Sequence, residues 1–347
     1  MSDKIDICSL TVCELEKFIC DMGEKKFRAR QIFEWINKKN VREFENMTNL
    51  SLILRQMLEK YFYFNRIDFL KRFECDDSSI KFLSKLDDSN IIESVIMKYS
   101  YGNTVCVSSQ VGCKMKCKFC MSTFNGLVRN LNAGEMCWQV YLANKIAPVS
   151  NIVIMGSGEP LDNYDNVIKF IKMINSKDGI NIGQRHITLS TCGIVDKIYE
   201  LAQENLQITL AISLHAPNDF LRQKIMPVAN KYKINDIIRA CEFYFEKTKR
   251  RITFEYVLID NVNDNQEGAY ELLRLLKNFP CHINLIPINE IENADFKPSP
   301  ISKQNKFMQI LTSCGKEVTI RRKLGKNINA ACGQLRNSYI KKMGDSN

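Results

Sequence analysis

Thr104-Val-Cys-Val-Ser-Ser109, continued by Gln110-Val-Gly-Cys113-Lys-Met-Lys-Cys117-Lys-Phe-Cys120, is the stretch on which the reading of this chain turns. Its first six residues are rich in β-formers and read as a strand. The loop that follows carries three cysteines in Cys-x-x-x-Cys-x-x-Cys spacing, with no fourth cysteine or histidine nearby. Structural zinc needs four ligands, usually in paired spacings, so this set is incomplete for zinc unless a distant residue completes it. A four-iron cluster held by three cysteine thiolates instead leaves one iron open to an external ligand. Lys114, Lys116 and Lys118 stand between the cysteines and are expected to offset their negative charge.

Downstream of this loop, β-rich runs alternate with amphipathic stretches. NIVIMG (151–156), HITLST (186–191), ITLAISLH (208–215), RITFEYVLI (251–259), CHINLIP (281–287) and EVTIRR (317–322) read as strands, with helical segments such as EMCWQVYLANKI between them. Such alternation predicts an α/β fold with a parallel sheet, open or closed into a barrel, whose chemistry gathers at the carboxyl ends of the strands. Upstream the pattern is different. Leu15, Phe18, Ile19 and Met22 form a helical stripe, as do Ile32, Phe33 and Ile36, and again Leu54, Met57, Leu58 and Tyr61. Three parts are expected: a small helical N-terminal accessory domain over 1–75, a β-rich connecting segment over 76–103, and a (β/α) domain over 104–347.

The 347 residues are enough to bury a large core. No run of 18 or more apolar residues suggests a membrane span, and the opening MSDKIDICSL lacks the marks of a secretory signal. The expected compartment is the cytosol, where a framework of disulfides among the 14 cysteines is not expected. Lysine and arginine outnumber aspartate and glutamate by 49 to 39, for a net charge of +10, which favours a polyanionic partner. The excess concentrates in GEKKFRARQIFEWINKK (23–39) and TIRRKLGK (319–326).

Several strand ends carry small polar groups. Gly156-Ser157-Gly158-Glu159-Pro160 follows the second strand; its glycines allow close backbone approach, and Glu159 can accept a hydrogen bond from an ammonium group. Ser190 ends the third strand, Ser213-Leu214-His215 the fourth, and Asn289 follows the sixth. Together they suit a polar cofactor, although for His215 a purely structural place is an equal expectation.

The cysteine spacing after the first strand of a βα series resembles that of the radical S-adenosylmethionine (SAM) superfamily from about residue 104 to 326. Ala330-Ala-Cys332-Gly-Gln-Leu335, VCVSSQVGC (105–113), ISLHAPND (212–219), MPVANKY (226–232), NLIPIN (284–289), FRARQIFEWI (27–36) and FENMTNL (44–50) extend the likeness over nearly the whole chain. They closely resemble the dual-specificity rRNA/tRNA adenine-C2 methyltransferases. The resemblance implies a partial (β/α) barrel, a [4Fe-4S] cluster on Cys113, Cys117 and Cys120, and SAM held by Gly158, Glu159, Ser190, Ser213, Leu214, His215 and Asn289.

It also implies a route around a chemical obstacle. C2 of adenine lies between two ring nitrogens and is a poor nucleophile. Two SAM molecules are therefore consumed per turnover: the first methylates Cys332, and the second yields a 5′-deoxyadenosyl radical that activates the S-methyl group. The resulting carbon radical adds to C2, Glu93 accepts the C2 proton, and Cys106 attacks Cys332 to release the base and leave a disulfide. The implied partners are 23S rRNA, tRNA beside the anticodon, and an electron donor such as flavodoxin or ferredoxin; a monomer is expected. The helical N-terminal region corresponds to the family's RNA-binding accessory domain. Two other readings stand beside this one: the sister branch that methylates adenine C8, and a non-enzymatic zinc-dependent RNA-binding protein. The match departs at Cys192, where serine is usual, and at Gly325-Lys-Asn-Ile-Asn329, where an aspartate-rich run is usual. The remaining cysteines, Cys192 among them, are expected to be ordinary packing residues.

Overall fold

The computed structural model describes residues 4–277, 279–288 and 296–321. It begins with a short strand β1 (Ile5–Asp6), followed by helices α1 (Val12–Asp21), α2 (Phe27–Asn37) and α3 (Leu52–Tyr61) and by β2 (Phe62–Tyr63), which pairs in parallel with β1. Local chemistry sets the helix starts. Thr11 and Glu14 form a reciprocal capping box at α1, and Ser51 Oγ accepts the Leu54 N–H at α3. The expected stripes bury Leu15 and Ile19, Ile32, Phe33 and Ile36, and Leu54 and Leu58.

The helical reading up to residue 75 stops at Tyr61. Residues Ile67–Glu74 form a strand, β3, the first of an antiparallel meander with β4 (Ile80–Leu86), β5 (Ile91–Tyr99) and β6 (Gly102–Cys106). Asp/Ser/Asn turns supply its corners: Ser78 and Ser89 take the left-handed conformation, and Asp77 and Asp88 accept the N–H groups two residues on.

After β6 a two-stranded ribbon, β7 (Gln110–Gly112) with β8 (Leu127–Asn130), brackets the cysteine loop. The chain then winds through α4 (Ala133–Ile146), β9 (Val149–Ile154), α5 (Tyr164–Asn175), β10 (Ile187–Thr191), α6 (Val195–Gln203), β11 (Thr209–Ser213), α7 (Asp219–Ile225), α8 (Ile234–Thr248), β12 (Ile252–Leu258), α9 (Gln266–Leu275), β13 (Cys281–Pro287), α10 (Ile301–Ser313) and β14 (Glu317–Ile320). The order across the main sheet is β14-β13-β12-β11-β10-β9-β6-β5-β4-β3. Strands β6 and β9 to β14 are parallel to one another, as the alternation predicted, and the meander extends the same sheet. The segment expected as a connector is therefore part of the edge of the main sheet.

A parallel sheet covered on both faces reads as near-continuous apolar runs. These strands alternate instead. Ile187, Leu189, Leu210, Ile212, Phe254, Ile283 and Leu285 point one way and are fully buried. Ser190, Ser213, Glu255 and Asn284 lie on the other face. One face is thus the hydrophobic floor beneath the helices, and the other is a polar wall.

The N-terminal helices share a continuous apolar core with the sheet domain, largely through α4. Trp138 Nε1 donates to the Ile67 carbonyl at 2.9 Å, Tyr141 Oη donates to Asn37 Oδ1, and Gly134 N donates to Ser9 Oγ at 3.0 Å. The Arg42 guanidinium sits 4.1 Å from the centre of the Trp138 ring. Among the described residues no helix is long and apolar enough to cross a membrane.

Candidate active site

The cysteine loop hangs from a pinch between β7 and β8. Gly112 has φ +79°, and a Cβ there would lie 2.0 Å from the Gly126 carbonyl oxygen, so only glycine fits. Cys113 N donates to that same oxygen at 3.0 Å. On its far side the loop is tied to the end of α7, where Lys118 N donates to the Ile225 carbonyl at 3.0 Å. Phe119 packs edge-on against His215, with ring centres 4.9 Å apart. Cys113 is buried, and Cys117 and Cys120 are half-buried.

Burial pushes the Cys113 thiol up to about 12 and the Cys117 thiol higher still, and for Cys117 the neighbouring thiols add to the effect. Thiolates here need a cationic group among them. The three loop lysines are exposed, where solvent screens them, and Lys114 is engaged with Asp162 at 2.6 Å. The buried cation that faces Cys117 is Arg222, a residue with no distinctive sequence signal. Its guanidinium donates to the carbonyls of Cys192 (2.6 Å), Leu214 (3.1 Å), Tyr232 (3.2 Å) and Ser213 (3.3 Å), clamping the ends of β10 and β11.

The Gly156–Pro160 turn lies against the same loop, for a reason other than the expected one. A Cβ on Gly156 would meet Ser108 at 2.7 Å, and one on Gly158 would meet Gln110 at 2.6 Å. Both glycines are demanded by the backbone leading into the cysteines. Ser108 and Gln110 do the joining: Ser157 N donates to Ser108 Oγ, and Glu159 N donates to Gln110 Oε1. The Glu159 carboxylate is buried and accepts the N–H groups of Leu161 (3.0 Å) and Cys192 (2.7 Å). Burial raises its pKa, which suits a group awaiting a positive partner. Cys192, expected to be ordinary packing, sits in this site, hydrogen-bonded to Glu159 and facing Cys117. Only the tertiary contact reveals it.

The strand registers assemble the rest. Lys81 lies opposite Val95, and Val95 opposite Cys106. Glu93 precedes Val95 by two residues, so Lys81, Glu93 and Cys106 share one face, with Glu93 and Cys106 diagonal neighbours across β5 and β6. Glu93 is only 6% exposed, against the alternative of an exposed strand carboxylate, and its Oε2 is 3.2 Å from Lys81 Nζ. The same face continues through Val153 and Thr188 to Ser190, and then from Ser213 to Glu255, Asn284 and Thr319. Asn284 Nδ2 donates to Glu255 Oε2 at 2.8 Å. Glu255 is a buried carboxylate that the sequence reading passed over inside an apolar run.

Ser190 and Ser213 are therefore brought to one polar face. Leu214 is fully buried, its carbonyl taken by Arg222 and its N–H by the Glu255 carbonyl. His215 holds a left-handed turn at φ +58°, and its Nδ1 accepts the Val257 N–H at 3.0 Å. Burial, with Arg222 nearby, lowers its pKa to about 3, so it is a neutral imidazole that props the cysteine loop through Phe119. Asn289, Cys332 and the Gly325–Asn329 run lie outside the described residues.

Among the described residues no three His, Cys, Asp or Glu side chains gather as ligands of a single metal ion. A cluster that offers each cysteine its own iron does not require them to. Three cysteines in one loop, a buried cation beside them, and a polar wall with a buried carboxylate at its edge fit a three-cysteine iron–sulfur cluster and SAM.

Comparison with known proteins agrees with this reading. Residues 5–63 match the ribosomal RNA large subunit methyltransferase N-terminal domain, and residues 107–273 match the radical SAM superfamily. A "Probable dual-specificity RNA methyltransferase RlmN" of Clostridium tetani is 52% identical over 344 residues, 98% of each chain. One of the same name from Lachnoclostridium phytofermentans is 54% identical over 345 residues, covering 99% of this chain and 97% of its own. The crystal structure of a radical SAM methyltransferase from Sphaerobacter thermophilus superposes with a TM-score of 0.88 at 42% identity, covering 95% of this chain and 98% of that one. The chain belongs to the RlmN family of dual-specificity radical SAM RNA methyltransferases.

Proposed function

We propose that this enzyme methylates C2 of an adenine in 23S rRNA, and of an adenine beside the tRNA anticodon, through a methyl group carried on Cys332. The observation that carries the reading is the shared face of Glu93 and Cys106, an acid–base group and a thiol side by side on the wall that also bears Ser190 and Ser213. A cluster on Cys113, Cys117 and Cys120 supplies the electron that splits SAM and so allows a hydrogen to be taken from an unactivated methyl group. Gly158, Glu159, Ser190, Ser213, Leu214, His215 and Asn289 form the SAM site. Within it Glu159 and the serine hydroxyls orient SAM, while Leu214 and His215 shape the turn behind it.

Cys332 first takes a methyl group by displacement from one SAM; a second SAM is consumed in activating that methyl, whose carbon then joins C2. The adduct gives up one electron, returned to the enzyme's electron-transfer centre, and its C2 proton passes to Glu93, restoring a closed-shell ring. Cys106 attacks the Cys332 sulfur, the sulfur–carbon bond breaks towards carbon, and a proton completes the new methyl group, leaving a Cys106–Cys332 disulfide for cellular reductants. The basic N-terminal helices grip the RNA, with the target base turned out of its stack. The enzyme works as a cytosolic monomer with a flavodoxin or ferredoxin as electron donor.

The test is mass spectrometry of nucleosides from unmodified 23S rRNA treated with the reconstituted protein, reductant and trideuteriomethyl SAM. 2-Methyladenosine retaining two deuteriums is expected. An 8-methyladenosine product assigns the chain to the C8 branch instead. Zinc in place of iron, with SAM left intact, overturns the enzymatic reading.

A further inference from the structure

Lys81 is 1% exposed, and its ammonium is paired with a carboxylate that is itself buried. An apolar pair of similar volume is commonly as stable as a buried ion pair, or more so, so stability alone gives no reason for charge at this position. Its location gives one. The pair is on the face that carries Cys106, Ser190 and Ser213, opposite the helix-covered floor. Backbone contacts already fix the strand on which Glu93 sits, because Ser108 Oγ donates to the Glu93 carbonyl at 2.8 Å and β4 pairs it with Leu83. What those contacts leave open is the direction of the Glu93 carboxylate.

We infer that Lys81 is the positioning residue for proton removal: its ammonium, 3.2 Å from Glu93 Oε2, turns the buried carboxylate to receive the C2 proton. This deepens the assignment of Glu93 made above and rests on it. In the step concerned the C2–H bond breaks, the proton passes to the Glu93 carboxylate, and the bonding electrons stay in the purine ring. Without Lys81 the Glu93 carboxylate loses the charged partner that directs it along the wall. The reaction then stops with RNA still joined to Cys332.

The experiment uses the full-length protein with its cluster reconstituted, unmodified 23S rRNA, SAM and reductant. Denaturing gels read the covalent protein–RNA adduct, and nucleoside mass spectrometry reads the released product. Lys81→Met and Glu93→Gln are each expected to accumulate adduct and to lower product release by on the order of 100-fold, the usual worth of a general base. Lys81→Arg, which retains the charge, is expected to release product with little adduct. Lys81→Gln carries the same expectation as Lys81→Met and serves if that variant does not fold. A folded Lys81→Met or Lys81→Gln protein that releases product at the wild-type rate overturns the inference while leaving Glu93 in place. So does a folded Lys81→Arg protein as blocked as the neutral variants. Should Glu93→Gln itself release product without adduct, the assignment of Glu93 falls, and Lys81 with it.

Discussion

The two halves of the main sheet bury polarity in different ways. From β9 to β14 this face carries Thr188, Ser190, Ser213 and Asn284, with Glu255 as its buried carboxylate, hydrogen-bonded by the Asn284 amide and attracted to Arg321. On β4 and β5 the wall instead holds a full ion pair, Lys81 with Glu93, next to a thiol. The first half leads to the strand ends where SAM is proposed to sit. The charged half suits moving a proton. The parallel half follows from the βα alternation, whereas the antiparallel meander adds the groups to which the proposed proton transfer is assigned.

The contrast can be broken from either side. Cys113→Ala removes one of the three thiolates and is expected to abolish SAM cleavage and bound iron together; iron analysis and 5′-deoxyadenosine release measure both. Retained SAM cleavage would separate the loop from the chemistry. Arg222→Met leaves four backbone carbonyls without their donor and is expected to cost roughly 3–5 kcal/mol of stability, read by denaturant unfolding. A loss under about 1 kcal/mol would mean that water replaces the clamp.

Glu93→Gln sharpens the comparison, because only the charged half is touched. Methylated RNA is expected to fall by on the order of 100-fold while SAM cleavage continues. A parallel drop in SAM cleavage would place Glu93 in the cofactor site instead.

The smallest effect concerns the strut between the halves, Arg129 of β8, which reaches Asp88 in the β4–β5 turn and grips Glu135 of α4 through two bonds of 2.7 and 2.8 Å. Partial burial acts to raise the Asp88 carboxyl, but hydrogen bonds from Arg129 and Asn90 outweigh it and bring it down to about 2. Its folded pKa lies below the unfolded value of 3.8, so its contribution is present above about pH 4 and is lost as pH falls towards 2. Asp88 is exposed, and Asp88→Asn should therefore flatten the acid limb of a melting-temperature profile only slightly. An unchanged acid limb would show that the strut contributes nothing.

Much of this was legible in linear sequence because short-range rules govern it. The cysteine spacing, the helical stripes and the βα alternation all depend on residues within a few positions of one another. Residues 62–75 were misread as helix because a helical stripe in α3 runs into a strand whose half-exposed alternation declares itself only when β4 pairs with it. The glycines of the Gly156–Pro160 turn were rightly singled out, but the close approach that requires them is to Ser108 and Gln110.

The sequence by itself determined the family-defining cysteine loop, the alternating sheet and the basic character that points to a nucleic acid, since each is written in composition or in local spacing. Only the tertiary structure decided that Arg222, and not the loop lysines, is the buried charge facing Cys117, that Cys192 joins the site, and that Glu93 is paired with Lys81. Those facts rest on strand register and on desolvation, which bring together residues from distant parts of the chain and leave no periodic trace in it.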